Sequence, residues 1–224
     1  MSATIVYCSS NMELPAFEAK IIANLLKACG DLPIISVTQK PMPYLGRNIC
    51  VGDDIGVSGF NYFRQFLIGC EAADTDFIIS AESDCLYPPD YFSFRPERQD
   101  GCWRNSNLYV MPDKRPYFFL KKGGATHSQV VGRKFYIDRL KKLFGNAPMW
   151  CVEEKNFPKE RHRKEDVVDR RDLYYWQTEN PVFQIKTHRG MRYYTSSDRT
   201  PIHEIPYWGD GKVIYKEFVK GIAR

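Results

Sequence analysis

The amino-acid sequence predicts an α/β fold in which parallel strands alternate with helices, and three observations lead there. Short apolar runs rich in β-branched residues, TIVY at 4–7, PIISV at 33–37 and DFIIS at 76–80, recur through the first part of the chain. The two segments between them carry apolar residues at three- and four-residue steps, the spacing that lines up one face of a helix. The connections are short, and strand, helix, strand with short connections is the unit of a parallel sheet with a right-handed crossover.

Each element can be justified in order. The first strand ends in the small polar loop CSSN. In LPAFEAKIIANLLKACG, Phe17, Ile21 and Leu25 form one row and Ile22, Leu26 and Cys29 another, with Pro15 suited to a first turn and Gly30 to a C-terminal cap. After the second strand and a loop containing KPMPYLGRNICVGDDIG, Ser58 is positioned to cap a helix whose Phe63, Phe66, Leu67 and Cys70 share a stripe. The third strand stops at AESDCLYPPDYF, residues 81–92, which places Glu82 and Asp84 at its C-terminal end. Beyond Tyr91, CWRNSNLYVM and RPYFFLK have the composition of strands in a mixed or antiparallel extension. THSQVVGRKFYIDRLKKLFG is expected to be a helix begun by Ser128 and ended by Gly145, residues 155–172 are dense in charge, and PVFQIKTHRG is a late strand or turn.

Length and composition set the class. At 224 residues, 26% charged and 43% hydrophobic, the chain suits one folded domain. The seven cysteines show no Cys-x-x-Cys pair and no His spacing typical of zinc, and are expected to be reduced structural thiols. No signal peptide pattern and no run of about 18 apolar residues is present, so a cytoplasmic protein without a transmembrane segment is expected. The net charge of +5 hides a polarity: residues 1–112 hold 8 Lys+Arg against 13 Asp+Glu, and residues 113–224 hold 24 against 14, giving −5 and +10. Such a distribution steers an anionic partner to one face.

The chemistry is narrowed by what is missing. The loop after the first strand lacks Gly-x-Gly-x-x-Gly, and the chain contains neither a P-loop pattern nor Gly-x-Ser-x-Gly. What remains is a pair of carboxylates at the end of a strand, where open α/β sheets bind ligands. In an extended segment residues i and i+2 point the same way, so Glu82 and Asp84 would converge on a hard cation such as Mg2+ or Mn2+, completed by a nucleoside diphosphate. A charged turn capping a buried strand is the plain alternative.

The stretch from GRNICVGDDIG through NYFRQFLIGCEAADTDFIISAESDCLYPPDYF resembles the nucleotide-sugar-binding half of GT-A-type glycosyltransferases. It is most similar to small family-2-like bacterial and phage enzymes, whose strand-end motif is acidic residue, any residue, Asp, then hydrophobic, Tyr and Pro. The resemblance covers residues 3–95 and returns more weakly at PVFQIKTHRGMR. It implies a three-layer α/β/α domain with a mixed, mostly parallel sheet, in which residues 1–95 bind the nucleotide sugar and residues 96–224 form the basic acceptor side. It further implies that Asp84 and His188 hold the metal. Because Glu82-Ser83-Asp84 departs from a strict Asp-x-Asp, Glu82 supports the metal and Ser83 sits with the donor. Ser9, Ser10, Asn11, Gln39, Asn48, Arg64 and Gln65 fall at polar positions around the nucleotide.

The reaction so implied is transfer of a hexosyl group from a nucleotide sugar, uridine-linked by this reading, with Mn2+ or Mg2+ neutralising the departing diphosphate. An inverting enzyme also needs a carboxylate base. Glu153 and Glu154 are the first candidates, and Asp166 in KEDVV is the second because it resembles the family's catalytic Glu-Asp pair. The basic residues of 155–171 and 186–192, with tyrosines beside arginines in HRGMRYY, suit phosphates and stacked bases. DNA carrying a hydroxymethylated base is thus one acceptor to test, as in phage DNA modification, and it would require base extrusion. The rival readings are a non-catalytic nucleotide- or nucleic-acid-binding protein and a nucleotidyltransferase.

Overall fold

The computed structural model describes residues 1–151, 167–187 and 200–220. Strand β1 (Ala3–Ser9), helix α1 (Pro15–Ala28), strands β2 (Ile34–Thr38) and β3 (Arg47–Cys50), helix α2 (Gly59–Ala72) and strand β4 (Phe77–Glu82) come first. They are followed by β5 (Cys85–Leu86), β6 (Cys102–Asn105), β7 (Leu108–Pro112), β8 (Phe119–Leu120), β9 (Gln129–Gly132), α3 (Arg133–Phe144), β10 (Leu173–Trp176) and β11 (Val182–Lys186). Near the C-terminus, α4 (Gly211–Ile214) continues as one π-helical turn over Tyr215–Val219.

The expected class is what the chain adopts. A seven-stranded sheet runs in the order β10-β6-β9-β4-β1-β2-β3. Four of its ladders are parallel, and the two that involve β9 are antiparallel. Strand alternation gives the sheet two apolar faces. Ile5 and Tyr7 of β1 pack with Ile22 and Leu25 of α1. Val6 and Cys8 point the other way, into a cluster with Phe66 of α2 and Tyr136 and Leu140 of α3.

A second sheet, β5-β11-β7-β8, joins through a third cluster. Here Phe17 and Ile21 of α1 meet Leu86, Met111, Phe183 and Ile185, with Ile214 and Phe218 from the C-terminal helix. Helix α1 therefore serves two sheets with two different rows of its surface.

The capping expectations hold for α1 and α2. Pro15 opens α1, Gly30 lies just past its end at φ 58°, and the Ser58 hydroxyl accepts from the Asn61 N–H at 3.1 Å at the start of α2. Two differences matter. CWRNSNLYVM divides into β6 and β7, which belong to different sheets. THSQVVGRKFYIDRLKKLFG does not begin as a helix at Ser128: Gln129–Gly132 is β9, and α3 starts at Arg133, ending at Gly145 as expected. The reason is tertiary. Val130 and Val131 are fully buried on opposite faces of the sheet, and β9 pairs with β4 on one side and β6 on the other. Filling that gap outweighs the helical pattern that runs through the segment.

Candidate functional site

The C-terminal ends of β1, β2, β3 and β4 lie along one edge of the large sheet, because all four strands are parallel neighbours. The polar residues singled out at the first three ends build a braced rim. Ser9 is buried, and its hydroxyl donates to Glu18 Oε1 of α1 at 2.6 Å while accepting the Asn11 N–H at 3.0 Å. The Tyr7 hydroxyl donates to the same Glu18 oxygen at 2.9 Å. Burial, and then the Glu18 charge, hold the Tyr7 phenol well above the usual tyrosine range.

Asn11 takes a left-handed conformation at φ 53°, which suits its short polar side chain. Its Oδ1 accepts from the Lys40 N–H at 2.8 Å, tying the loop after β1 to the loop after β2. Ser10 is half-buried between these anchors. Asn48 does the same work from β3: its Oδ1 accepts from the Met42 N–H at 2.9 Å, and its Nδ2 donates to the Ser36 and Thr38 hydroxyls at 2.9 Å each. Gln65 of α2 donates to the carbonyls of Ser9 (3.1 Å) and Val37 (2.9 Å). Arg64 faces away from these contacts, donating to the carbonyls of Ala147 and Pro148 with its guanidinium 3.8 Å from the Phe144 ring centroid.

Gln39 begins a chain of contacts. Its Nε2 donates to the Gly56 carbonyl at 2.9 Å, which also accepts from Asn61 Nδ2 at 3.1 Å. Asn61 in turn brackets Cys151, donating to its carbonyl at 3.0 Å and accepting its N–H at 2.9 Å. The chain is thus pinned to the N-terminal end of α2 immediately before residue 152. Glu153, Glu154 and Asp166 lie outside the described residues, as do His188 and most of the basic positions of 155–171 and 186–192.

At the end of β4 the structure departs from extended geometry. Ser83 and Asp84 form a turn, so the alternation that would aim Glu82 and Asp84 together does not apply across it. Asp84 Oδ2 accepts from Gln184 Nε2 at 2.8 Å, and its Oδ1 accepts from the Cys85 thiol at 3.2 Å. Strand β11 delivers Gln184, because its antiparallel pairing with β5 sets Gln184 opposite Cys85. One residue beyond β11, the Thr187 hydroxyl donates to Glu13 Oε1 at 2.6 Å, which ties the end of β11 to the segment following β1.

Glu82 shares Cys85 with Asp84 and adds His127. Its carboxylate, Cys85 Sγ and a ring nitrogen of His127 lie within 4.8 Å of one another. The Tyr87 hydroxyl accepts the Glu82 N–H at 3.1 Å and donates to the His127 carbonyl at 2.8 Å. Burial, then the charges of Asp84 and Glu82, push the Cys85 thiol well above its ordinary value. Sequence reasoning missed Cys85 and His127 because they are 42 positions apart and carry no metal-binding spacing. It missed Glu18, Asn61 and Gln184 because each acts through a contact made only on folding.

No protein-family model matches the sequence, and no curated protein does. Among solved structures, the chain is similar to the glycosyltransferase GlyE of Streptococcus pneumoniae TIGR4 (TM-score 0.48, 9% identity, 79% of this chain and 45% of that one). It is also similar to residues 1–349 of TarS from S. aureus (TM-score 0.47, 6% identity, 84% and 62%). A third is the bifunctional IspDF of Campylobacter jejuni (TM-score 0.43, 9% identity, 80% and 50%). The chain spans 45–62% of the length of these three solved chains, the TarS one being a fragment, and at such identities the likeness is one of general chain path.

Proposed function

We propose that this chain is a glycosyltransferase that moves a hexosyl group from a uridine-linked nucleotide sugar to a hydroxyl acceptor, with a divalent cation. The observation that supports it is the braced rim at the strand ends: loops 9–11, 39–42 and 52–57 are tied to one another beside the Asp84 turn. Preformed polar loops beside an anchored carboxylate at the C-terminal edge of a parallel sheet are what a nucleoside diphosphate needs. The resemblance of residues 3–95 to nucleotide-sugar-binding halves supports the same reading.

The oxygen donors fit a hard cation in part. Asp84 is anchored through both oxygens and only half-buried, so it offers remaining lone pairs toward the edge. When bound, Mg2+ or Mn2+ supplies charge neutralisation for the departing diphosphate. Gln184 keeps the Asp84 carboxylate oriented, and the Ser9–Glu18 contact fixes the loop that would border the nucleoside. Glu153, Glu154 or Asp166 would take the acceptor proton in this reading; the Asn61 clamp fixes Cys151 at the N-terminal end of α2. The basic half suits an anionic acceptor, of which DNA with hydroxymethylated pyrimidines is the first to try.

Hydrolysis and transfer assays with a panel of nucleotide sugars test this reading. A uridine-linked donor is expected to release nucleoside diphosphate in a metal-dependent way, and Asp84→Asn is expected to lower the rate about 10²–10³-fold. Release of pyrophosphate would instead indicate a nucleotidyltransferase. A panel that neither turns over nor raises the melting temperature would leave a nucleotide- or nucleic-acid-binding protein as the better account.

A further inference from the structure

Glu82, Cys85 and His127 bring a carboxylate, a thiol and an imidazole together, with donor atoms within 4.8 Å of one another. They come from separate places: the last residue of β4, the first of β5, and the loop that enters β9. Cys85 and His127 are 0% and 2% exposed, so two polar donors have been committed to the interior beside a half-buried carboxylate. The backbone around them is fixed on both sides. Tyr87 bridges the Glu82 N–H and the His127 carbonyl through one hydroxyl, and the pairing of Gln184 with Cys85 fixes β5. Outer contacts of this kind hold ligands in place in metal sites.

The donor set discriminates between ions. Sulfur and imidazole nitrogen are poor partners for Mg2+, which prefers oxygen, and good ones for zinc-class ions. Bonds of about 2.0–2.3 Å in a tetrahedral site put donors about 3.3–3.8 Å apart, so closure requires side-chain shifts of about an ångström.

We propose that Glu82, Cys85 and His127 form a three-ligand site for a zinc-class transition-metal ion at the end of β4, with the fourth position open to water or a phosphate oxygen. On binding, the Cys85 S–H bond, which donates to Asp84 Oδ1 at 3.2 Å, breaks as the sulfur–metal bond forms; its proton leaves past that carboxylate to solvent, and Asp84 then keeps the Gln184 contact as its anchor. The site goes beyond the proposed glycosyl transfer, because it gives Glu82 to a soft-donor ion and leaves Asp84 as the oxygen donor at the edge. It also accounts for an acidic residue at position 82 whose surroundings are not all oxygen.

Full-length protein stripped with a chelator and titrated with Zn2+ and Co2+ provides the test. The expected result is one equivalent of zinc per chain, retained against a large excess of Mg2+, and a thiolate-to-cobalt charge-transfer band. Cys85→Ser should abolish the band, whereas replacing the exposed Cys50 by serine should leave it intact. Glu82→Gln should weaken zinc binding while circular dichroism remains that of the parent, and Tyr87→Phe should weaken it about 10–100-fold by loosening both anchors. Absence of stoichiometric zinc binding in the parent protein, or a band that survives Cys85→Ser, would overturn the proposal. If Cys85→Ser does not fold, the decision passes to Glu82→Gln, and unchanged zinc affinity there overturns it equally. Metal content is read without any sugar donor, so failure of the transferase reading leaves this result standing, and the reverse also holds.

Discussion

Asp84 and Gln184 are 100 residues apart in sequence, yet one hydrogen bond of 2.8 Å between them orients the carboxylate at the centre of the proposed site. Gln184→Leu removes a neutral donor to a charged acceptor, an interaction of about 1.5–3 kcal/mol. Donor turnover is expected to fall through kcat more than KM, a split that steady-state kinetics with a uridine-linked donor would reveal. The place of Asp84 after an apolar run and before LYPP was visible in the sequence. Its separation from Glu82 was not, because whether residues 82–84 run extended or turn depends on how β5 docks on β11. The same holds at Ser9: the CSSN loop was legible as a polar edge, but the hydroxyl faces inward to Glu18, and only Ser10 and Asn11 remain at the rim.

At the level of elements, caps and close approaches set the fold's tolerances. Ser58 caps α2 and lies next to the Cys151 anchor, so Ser58→Ala is expected to cost about 1 kcal/mol, measured by urea denaturation with an unchanged m-value. Gly132, where β9 passes into α3, has no room for a side chain: a Cβ there would stand 1.6 Å from the Gln99 carbonyl oxygen. Gly132→Ala should therefore cost at least the upper end of about 1–3 kcal/mol, seen as a lowered urea midpoint. Helices α1 and α2 were readable because each carries its own signal in caps and periodicity; α3 was readable except for its start, and α4 was not anticipated. Strand β9 was not, since its extended form is imposed by partners from β4 and β6, and strand β3 lay unrecognised inside a loop for the same reason.

Across the whole molecule, α1 is the common wall of two cores. Phe17 faces the small sheet while Ile22 and Leu25 face the large one, so Phe17→Ala is expected to cost about 3–5 kcal/mol. Hydrogen exchange should then show faster opening of β11 and β7 before β1 and β4. A second global consequence concerns alkali. Burial raises the thiols of Cys8, Cys70, Cys85 and Cys102, the last to about 12, and the phenols of Tyr7, Tyr62, Tyr87, Tyr91 and Tyr136. The unfolded chain releases these protons near the ordinary values of 9.0 and 10.0, whereas the folded chain retains them. Stability is thus fully present below about pH 9 and is lost as pH rises, by about 1.4 kcal/mol per pH unit for each group lying between its two pKa values. Spectrophotometric titration should show buried tyrosines ionising together with loss of structure rather than one by one.

By itself the sequence determined the alternation of strands and helices, the caps of α1 and α2, and the placing of acidic residues at a strand end. These are local properties, written in residue spacing and in side chains that satisfy their own backbone. Tertiary structure alone decided that Glu82 lies with Cys85 and His127 while Asp84 contacts both Gln184 and the Cys85 thiol. Those partners are held by strands β5 and β11 and the loop before β9, which meet only once the two sheets close on α1, and no spacing along the chain encodes that meeting.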